Sequence, residues 1–273
     1  MQNTTPPPAD TTPLALMHAA KRAALAGGAQ LLDWRGRFET HAKGPGDFVT
    51  DADIASQQAV RSVLQQAYPA HPFIGEESST PQAQAAPADG VCWVVDPLDG
   101  TTNYLHDFPS YAVSVAAVRG AAPVAGAVYD PVRQEMFAAA SGCGAWLGDR
   151  RLAASGVRRL ADALLAVSLP AAVRSDSPGL RDFVQVVPKC QAVRRIGSAA
   201  LSLAYVACGR LDAFWAREIH PWDVAAGALL VIEAGGRVTD PHGEAFDVWR
   251  PPCVAASCEP LHRALLGQLS PPA

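Results

Sequence analysis

The sequence has no long hydrophobic run. Its apolar stretches, such as AAGALLVIEAGG, are interrupted by Glu233 and fall short of the ~20 residues that span a bilayer. The N-terminus MQNTTPPPADTTP has no basic segment leading into an apolar one. It therefore does not read as a secretory signal, and its Thr/Pro content predicts a disordered tail over residues 1–13. Positive charge is not in excess: 22 Lys and Arg against 26 Asp and Glu leave a net charge of −4, which argues against a broad nucleic-acid surface. The six cysteines, Cys92, Cys143, Cys190, Cys208, Cys253 and Cys258, show no CxxC spacing. That speaks against a zinc site or a disulfide framework and for free thiols in apolar surroundings. A cytoplasmic chain with no membrane partner is expected.

What is present suits a globular protein. Of 273 residues, 49% are hydrophobic and 18% charged, enough to build a sizeable core. PLALMHAAKRAALAGGAQLLDWRG has apolar residues at helical spacing, as does DIASQQAVRSVLQQAY, where Asp53 is placed to cap. Between them HAKGPGDFVTDAD reads as a loop. HPFIGEES predicts a short strand entering a turn, and STPQAQAAPADG a polar loop. VCWVVD, YAVSVAAVRG, APVAGAVYDP, EMFAAASG and GAWLGDRRL are short runs parted by turn residues, the pattern of an antiparallel meander. Further on, LLAVSLP, RLDAFWA and CVAAS read as strands. SPGLRDFVQVV, SAALSLAYVACG, WDVAAGALLVIEAGG and EPLHRALLGQL read as helices. Strict βαβ alternation is missing, so the expected class is layered α+β.

The chemistry concentrates in WVVDPLDGTTNY. A strand leaving the core presents Asp96 at its end, and Pro97 is expected to force a turn that returns Asp99 beside it. Two adjacent carboxylates in a partly dry place repel unless a cation sits between them, and oxygen ligands suit magnesium rather than zinc. The Leu98 carbonyl lies between the two. Gly100, Thr101, Thr102 and Asn103 follow, where glycine permits close backbone approach and N–H groups at a helix start receive phosphate. The alternative is a plain Asp-Pro, Asp-Gly turn with solvated aspartates. Glu76 in FIGEES is a candidate third carboxylate, Glu77 an exposed turn residue. Asp223 in PWDVAAG sits at a helix start, where the macrodipole alone favours an acid. DFVTDAD offers Asp47, Asp51 and Asp53 as further candidates, with the same capping alternative for Asp53.

Taken in order, KxxxDxVTxxD, GEE, DPLDGTT and WDxAAG, together with RRIGSAALSLAYVACGRLDAFW, resemble the inositol monophosphatase family of magnesium-dependent, lithium-sensitive phosphatases. The resemblance covers nearly the whole chain. It implies an αβαβα sandwich and one catalytic domain over residues 14–273, with a metal-site half to about 155 and a substrate-side half from about 156. It implies two or three Mg²⁺ held by Glu76, Asp96, the Leu98 carbonyl, Asp99 and Asp223. Glu76 and Thr101 would orient or activate the attacking water, and Asp53 would hold Thr101. Asp99, Gly100, Thr101, Thr102, Gly197, Ser198, Ala199 and Asp223 would meet the substrate. Lys43 would ride a mobile loop, and the molecule would be a homodimer. The implied activity is hydrolysis of inositol monophosphate or a related small polyol or sugar phosphate by a metal-activated water. Alternatives are a different substrate on the same fold, such as histidinol phosphate or fructose 1,6-bisphosphate, or a regulatory RNA-associated role. TTNY after DPLDG leans toward the inositol branch, because the adenosine bisphosphate branch carries a lysine and an acid there. His220 is read as a packing residue.

One position departs from the pattern. Inositol-active relatives carry a glutamate seven residues before the last metal aspartate, where this chain has Ala216, followed by Arg217 and Glu218. Weakened inositol recognition with retained phosphatase chemistry is the expectation, at about 1–3 kcal/mol of discrimination.

Overall fold

Every residue of VCWVVDPLD is buried, and that strand organises the first sheet. The computed structural model describes residues 10–44, 47–78 and 90–269. The tail expected over residues 1–13 falls mostly outside them, but Thr12 is described and caps the first helix, accepting from the Ala15 N–H. That helix, α1, runs Pro13–Trp34, with proline at its first position, where no intrahelical N–H is needed. Next come β1 (Thr40–Gly44), β2 (Asp47–Thr50) and α2 (Asp51–Ala67). The stretch expected as a loop is instead a hairpin, with Thr40 opposite Thr50 and Ala42 opposite Phe48. Of its two glycines Gly44 ends β1 and Gly46 falls with Pro45 outside the described set, while Phe48, Val49 and Thr50 have the β-branched and aromatic side chains that strands favour. The side chain of Lys43 also lies outside the described residues.

β3 (Phe73–Gly75) pairs parallel to β4 (Val91–Asp99). From β4 the chain meanders antiparallel through β5 (Ala112–Arg119), β6 (Ala122–Asp130), β7 (Glu135–Ala140), β8 (Gly144–Leu147) and β9 (Arg150–Arg151), as expected from the turn spacing. A short helix, α3 (Thr101–Leu105), lies between β4 and β5. β4 does not stop at Pro97. The pairing with β5 slips between Asp96 and Asp99, and the strand continues. The pairing with β3 has already ended at Val95, so the N–H that proline lacks leaves no gap in a ladder on that side.

The second sheet has β10 (Leu164–Ser168), β11 (Ala192–Arg194), β12 (Ala213–Ala216), β13 (Arg237–Thr239) and β14 (Cys253–Ala256) in the order β11-β10-β12-β14-β13. β10, β11 and β12 are mutually parallel, and β14 runs against β12 and β13. The remaining helices are α4 (Pro178–Val186), α5 (Ala199–Ala207), α6 (Pro221–Glu233) and α7 (Glu259–Leu266).

Three apolar clusters define the layers. Leu16, Leu31, Val60 and Leu64 of α1 and α2 pack on Trp93, Val95 and Val113 of the first sheet. Leu201, Leu203, Leu229 and Leu230 of α5 and α6 fill the space between the two sheets with Val94, Val128, Phe137 and Phe214. Val186, Leu261 and Leu265 of α4 and α7 cover Leu165, Trp215 and Val254 on the far side. The order is helix, sheet, helix, sheet, helix, in an α+β fold. Both faces of the first sheet are covered, which is why β4 reads as an unbroken apolar run. Alanine on β5, β6 and β7 lets the helices come close, and a Cβ on Gly126 would lie 3.0 Å from the Ala226 backbone. Cys92 and Cys253 are buried, with burial pushing their thiols up to about 11 and about 12. Against the expectation of apolar burial, Cys143 is exposed and the other three cysteines are half-buried.

Candidate active site

The slip in β4 brings its two aspartates together. Asp96 is 1% exposed and accepts from the Leu98 N–H at 2.9 Å, a local turn that closes the slip while the strand runs on to Asp99. Ser56 of α2 donates to the Pro97 carbonyl at 2.7 Å and holds that turn from below. Asp223 is the third residue of α6 and accepts from the His220 N–H at 2.8 Å. It thus caps its helix and also faces the pair: one carboxylate oxygen from each of Asp96, Asp99 and Asp223 lies within 4.8 Å of the others. Glu76 is in the turn after β3, its N–H tied to the Val95 carbonyl at 3.1 Å. It borders the same cleft and repels the charges of Asp96 and Asp223.

The electrostatics follow from this crowding. Burial, then repulsion from Glu76, Asp99 and Asp223, pushes Asp96 well above the usual carboxylate range. Burial, then Asp99 and Glu76, does the same to Asp223. Asp99 is pushed up by burial to about 6, although donors from α5 oppose the rise. Those donors are the Ser198 hydroxyl at 2.6 Å, the Ala200 N–H at 2.6 Å and the Ala199 N–H at 3.2 Å. The helix start expected to face substrate therefore directs these groups at Asp99, while Gly197, Ser198 and Ala199 still line the cleft. Ser198 also caps α5, accepting from the Leu201 N–H.

Asp53 is fully buried, and it is not the first cap of α2. Thr50 holds that place, and Asp53, three residues on, returns a bond to the Thr50 N–H at 2.8 Å and its hydroxyl at 2.6 Å. The other Asp53 oxygen accepts from the Thr101 hydroxyl at 3.3 Å, which also points at the Leu98 carbonyl at 3.2 Å. Thr101 opens α3 after Gly100, whose φ of +105° requires glycine. A Cβ at Gly100 would press the Ser110 and Gly197 carbonyls, and one at Gly197 would strike Asn103. Asn103 itself donates to the carbonyls of Ser110 and Ile196, stitching the β4 turn to the second sheet. Spacing within the motif did not indicate that bridge, because its partners lie 7 and 93 residues away.

Glu76, Asp99, Asp223, Gly100 and Thr101 line a cleft of about 1150 Å³. Its lining also takes in Leu169, Arg195 and Glu218 after the ends of β10, β11 and β12, His220 and Trp222 beside Asp223, and Phe48 and Phe108. Thr102 and Asn103 line it beside Thr101. The His220 ring, exposed at the cleft, stacks on Trp222 with centroids 4.9 Å apart. Ala216 does not border the cleft. It ends β12 and is 1% exposed, while Glu218, two residues later, does border it. No described helix is long and apolar enough to cross a membrane.

Known proteins resemble this chain along most of their length. The Inositol monophosphatase family matches residues 15–271. An inositol-1-monophosphatase of Caulobacter vibrioides is 40% identical over 238 residues, 85% of this chain and 91% of that one. A Nus factor SuhB of Pseudomonas aeruginosa is 45% identical over 197 residues, 71% of this chain and 72% of that one. Among solved structures, the extragenic suppressor protein suhB of Bartonella henselae superposes with a TM-score of 0.85 at 37% identity, covering 95% of this chain and 100% of that one. The inositol monophosphatase of Anabaena superposes with a TM-score of 0.83 at 34% identity, covering 94% and 97%. With sequence and architecture agreeing from the first helix to the last, the chain belongs to the inositol monophosphatase family of phosphoric monoester hydrolases.

Proposed function

We propose that this chain is a Mg²⁺-dependent phosphomonoesterase that releases phosphate from inositol monophosphate or a related small polyol or sugar phosphate. The observation that carries the reading is the meeting of Asp96, Asp99 and Asp223 within 4.8 Å, beside a cleft large enough for a sugar-sized ester. The donor set fits the metal. Its ligands are all oxygen, three carboxylates are crowded where burial already opposes their charge, and a hard divalent cation would relieve that repulsion. Glu76, Asp96, the Leu98 carbonyl, Asp99 and Asp223 would hold two or three such ions. When bound, the ions supply neutralisation of the phosphate dianion, a more acidic water and stabilisation of the leaving alkoxide.

The chain's own groups supply orientation. A threonine hydroxyl has one proton and two lone pairs. In Thr101 the proton is directed to Asp53 and the Leu98 carbonyl, so the oxygen is left as an acceptor toward the cleft. It can therefore take a hydrogen bond from the attacking water and aim it. Asp53 keeps this polarity because Thr50 holds its second oxygen. Asp99 is clamped by α5, so it cannot swing away when substrate enters. Gly100 and Thr101 would present backbone to the phosphate, and the family resemblance assigns Lys43 a place on the loop that closes near it. We extend the reading to a single catalytic domain over 14–273, to lithium sensitivity, to a cytoplasmic location and to a homodimer; these rest on the family resemblance.

A regulatory reading is favoured by one observation, the relative named Nus factor SuhB. The net charge of −4 weighs against RNA as the main partner. The test is phosphate release from inositol 1-phosphate and a panel of small esters, with Mg²⁺ titrated and Li⁺ added. Magnesium-dependent, lithium-sensitive release is expected. No release from any ester, together with a salt-dependent RNA shift, would replace this reading with the regulatory one.

A further inference from the structure

β10, β11 and β12 run parallel, and their carboxyl ends all open on the cleft. Ligands of open sheets gather at that end of parallel strands. The segment after β12 has an unusual construction there. Along β12, Phe214 and Ala216 pack into the cluster between the sheets, while Trp215 packs into the outer cluster under α4 and α7. Past Ala216 the chain bends at Arg217 and Glu218, and their side chains part, Arg217 outward toward α4 and Glu218 inward to the cleft. The outward side chain is fixed: the Arg217 Nε donates to Asp182 of α4 at 2.6 Å, with the two side chains 9% and 0% exposed. Removing one member of so buried a pair would strand a charge, so Arg217 is committed to that face. Glu218 is exposed and lines the cleft beyond the metal cluster. The nearby guanidinium of Arg195 is directed at the carbonyls of Leu169 and Pro170, which leaves Glu218 as the acidic side chain of this wall.

We propose that Glu218, held toward the cleft by the buried Arg217–Asp182 pair, recognises hydroxyl groups on the alcohol part of the phosphate ester. This rests on the phosphomonoesterase reading above. The carboxylate accepts hydrogen bonds from ring or chain hydroxyls, while Ala216, buried beneath it, takes no part. Arg217 and Asp182 are positioning residues.

The test compares inositol 1-phosphate with p-nitrophenyl phosphate, whose leaving group has no hydroxyl beyond the ester oxygen. In Mg²⁺, Glu218→Ala is expected to lower kcat/KM on inositol 1-phosphate about tenfold, mainly through KM, and to leave p-nitrophenyl phosphate within about twofold. The double variant Arg217→Leu/Asp182→Leu removes both charges together and should keep the fold. It is expected to show the same selective loss on the polyol ester. An equal loss on both esters, or no loss on inositol 1-phosphate, would overturn the proposal. Turnover of p-nitrophenyl phosphate alone by the unmodified protein would overturn it too and leave the phosphomonoesterase standing. No turnover of either ester would bring down both.

Discussion

The two walls of the cleft are built in opposite ways. The acidic wall comes from a short segment, Asp96 to Asn103, whose chemistry is set by its own turn, with Glu76 and Asp223 brought to it. The facing wall comes from the ends of three strands, β10 to β12, and offers mostly backbone and apolar surface with Arg195 and Glu218 among it. Where local sequence makes the geometry, the residue types announce the chemistry. Where strand ends make it, single residues carry specificity and leave little pattern. The difference predicts that substitutions on the acidic wall abolish turnover of every ester, and those on the facing wall change preference.

The largest effect is expected from Asp96→Asn. It should lower Mg²⁺-dependent phosphate release about 10³-fold on all esters. It should also raise the melting temperature of the metal-free protein by about 2–4 °C, because a buried repulsion is removed. Reduced activity on only one ester would break the comparison.

The same crowding gives a pH signature. In metal-free protein the folded state holds protons on Asp99 up to about pH 6, above the ordinary value of 3.8, and Asp96 and Asp223 move the same way. The folded form thus binds more protons than the unfolded one in that window. Stability should fall as pH rises from about 4 through about 6 as Asp99 loses its proton, with Asp96 and Asp223 acting in the same direction. Melting curves in a chelator should show this decline. Added Mg²⁺ should raise the melting temperature more at a pH of about 7.5 than at about 5, where protons compete.

Ser198→Ala sharpens the comparison at the seam between the walls. It removes a donor to Asp99 and the cap of α5, and should cost about 1–2 kcal/mol in urea unfolding. Its effect on turnover should be far smaller than that of Asp96→Asn. The smallest effect belongs to His220→Ala, which loses a stack on Trp222 worth about 0.5 kcal/mol and should lower kcat/KM two- to threefold at most, flat across pH. A titrating loss near neutral pH would mean that His220 handles a proton.

Helix and strand types were readable wherever the apolar period ran long enough, as in α1, α2, the meander and α6. The hairpin β1–β2 was not, because Gly-Pro-Gly masks the strand residues on either side. β13 is three residues long and stands on its pairing with β14, a contact no local pattern signals. Of the site, Asp96, Asp99 and Glu76 were legible from strand ends and turns. The three-donor clamp on Asp99 was not, because its donors sit about a hundred residues away.

By itself the sequence determined which side chains are available: carboxylates at a strand end, glycine where only positive φ is possible, and threonine and aspartate at helix starts. These follow from local sterics and hydrogen bonding. Only the tertiary structure decided which of them meet. The slip in β4 sets Asp99 beside Asp96, α6 delivers Asp223, α2 delivers Asp53 to Thr101, and the bend after β12 with the Arg217–Asp182 pair sets Glu218 on the cleft. The physical reason is that packing two sheets around one helical layer sets distances between residues far apart in the chain, and at those distances charge and hydrogen bonding act.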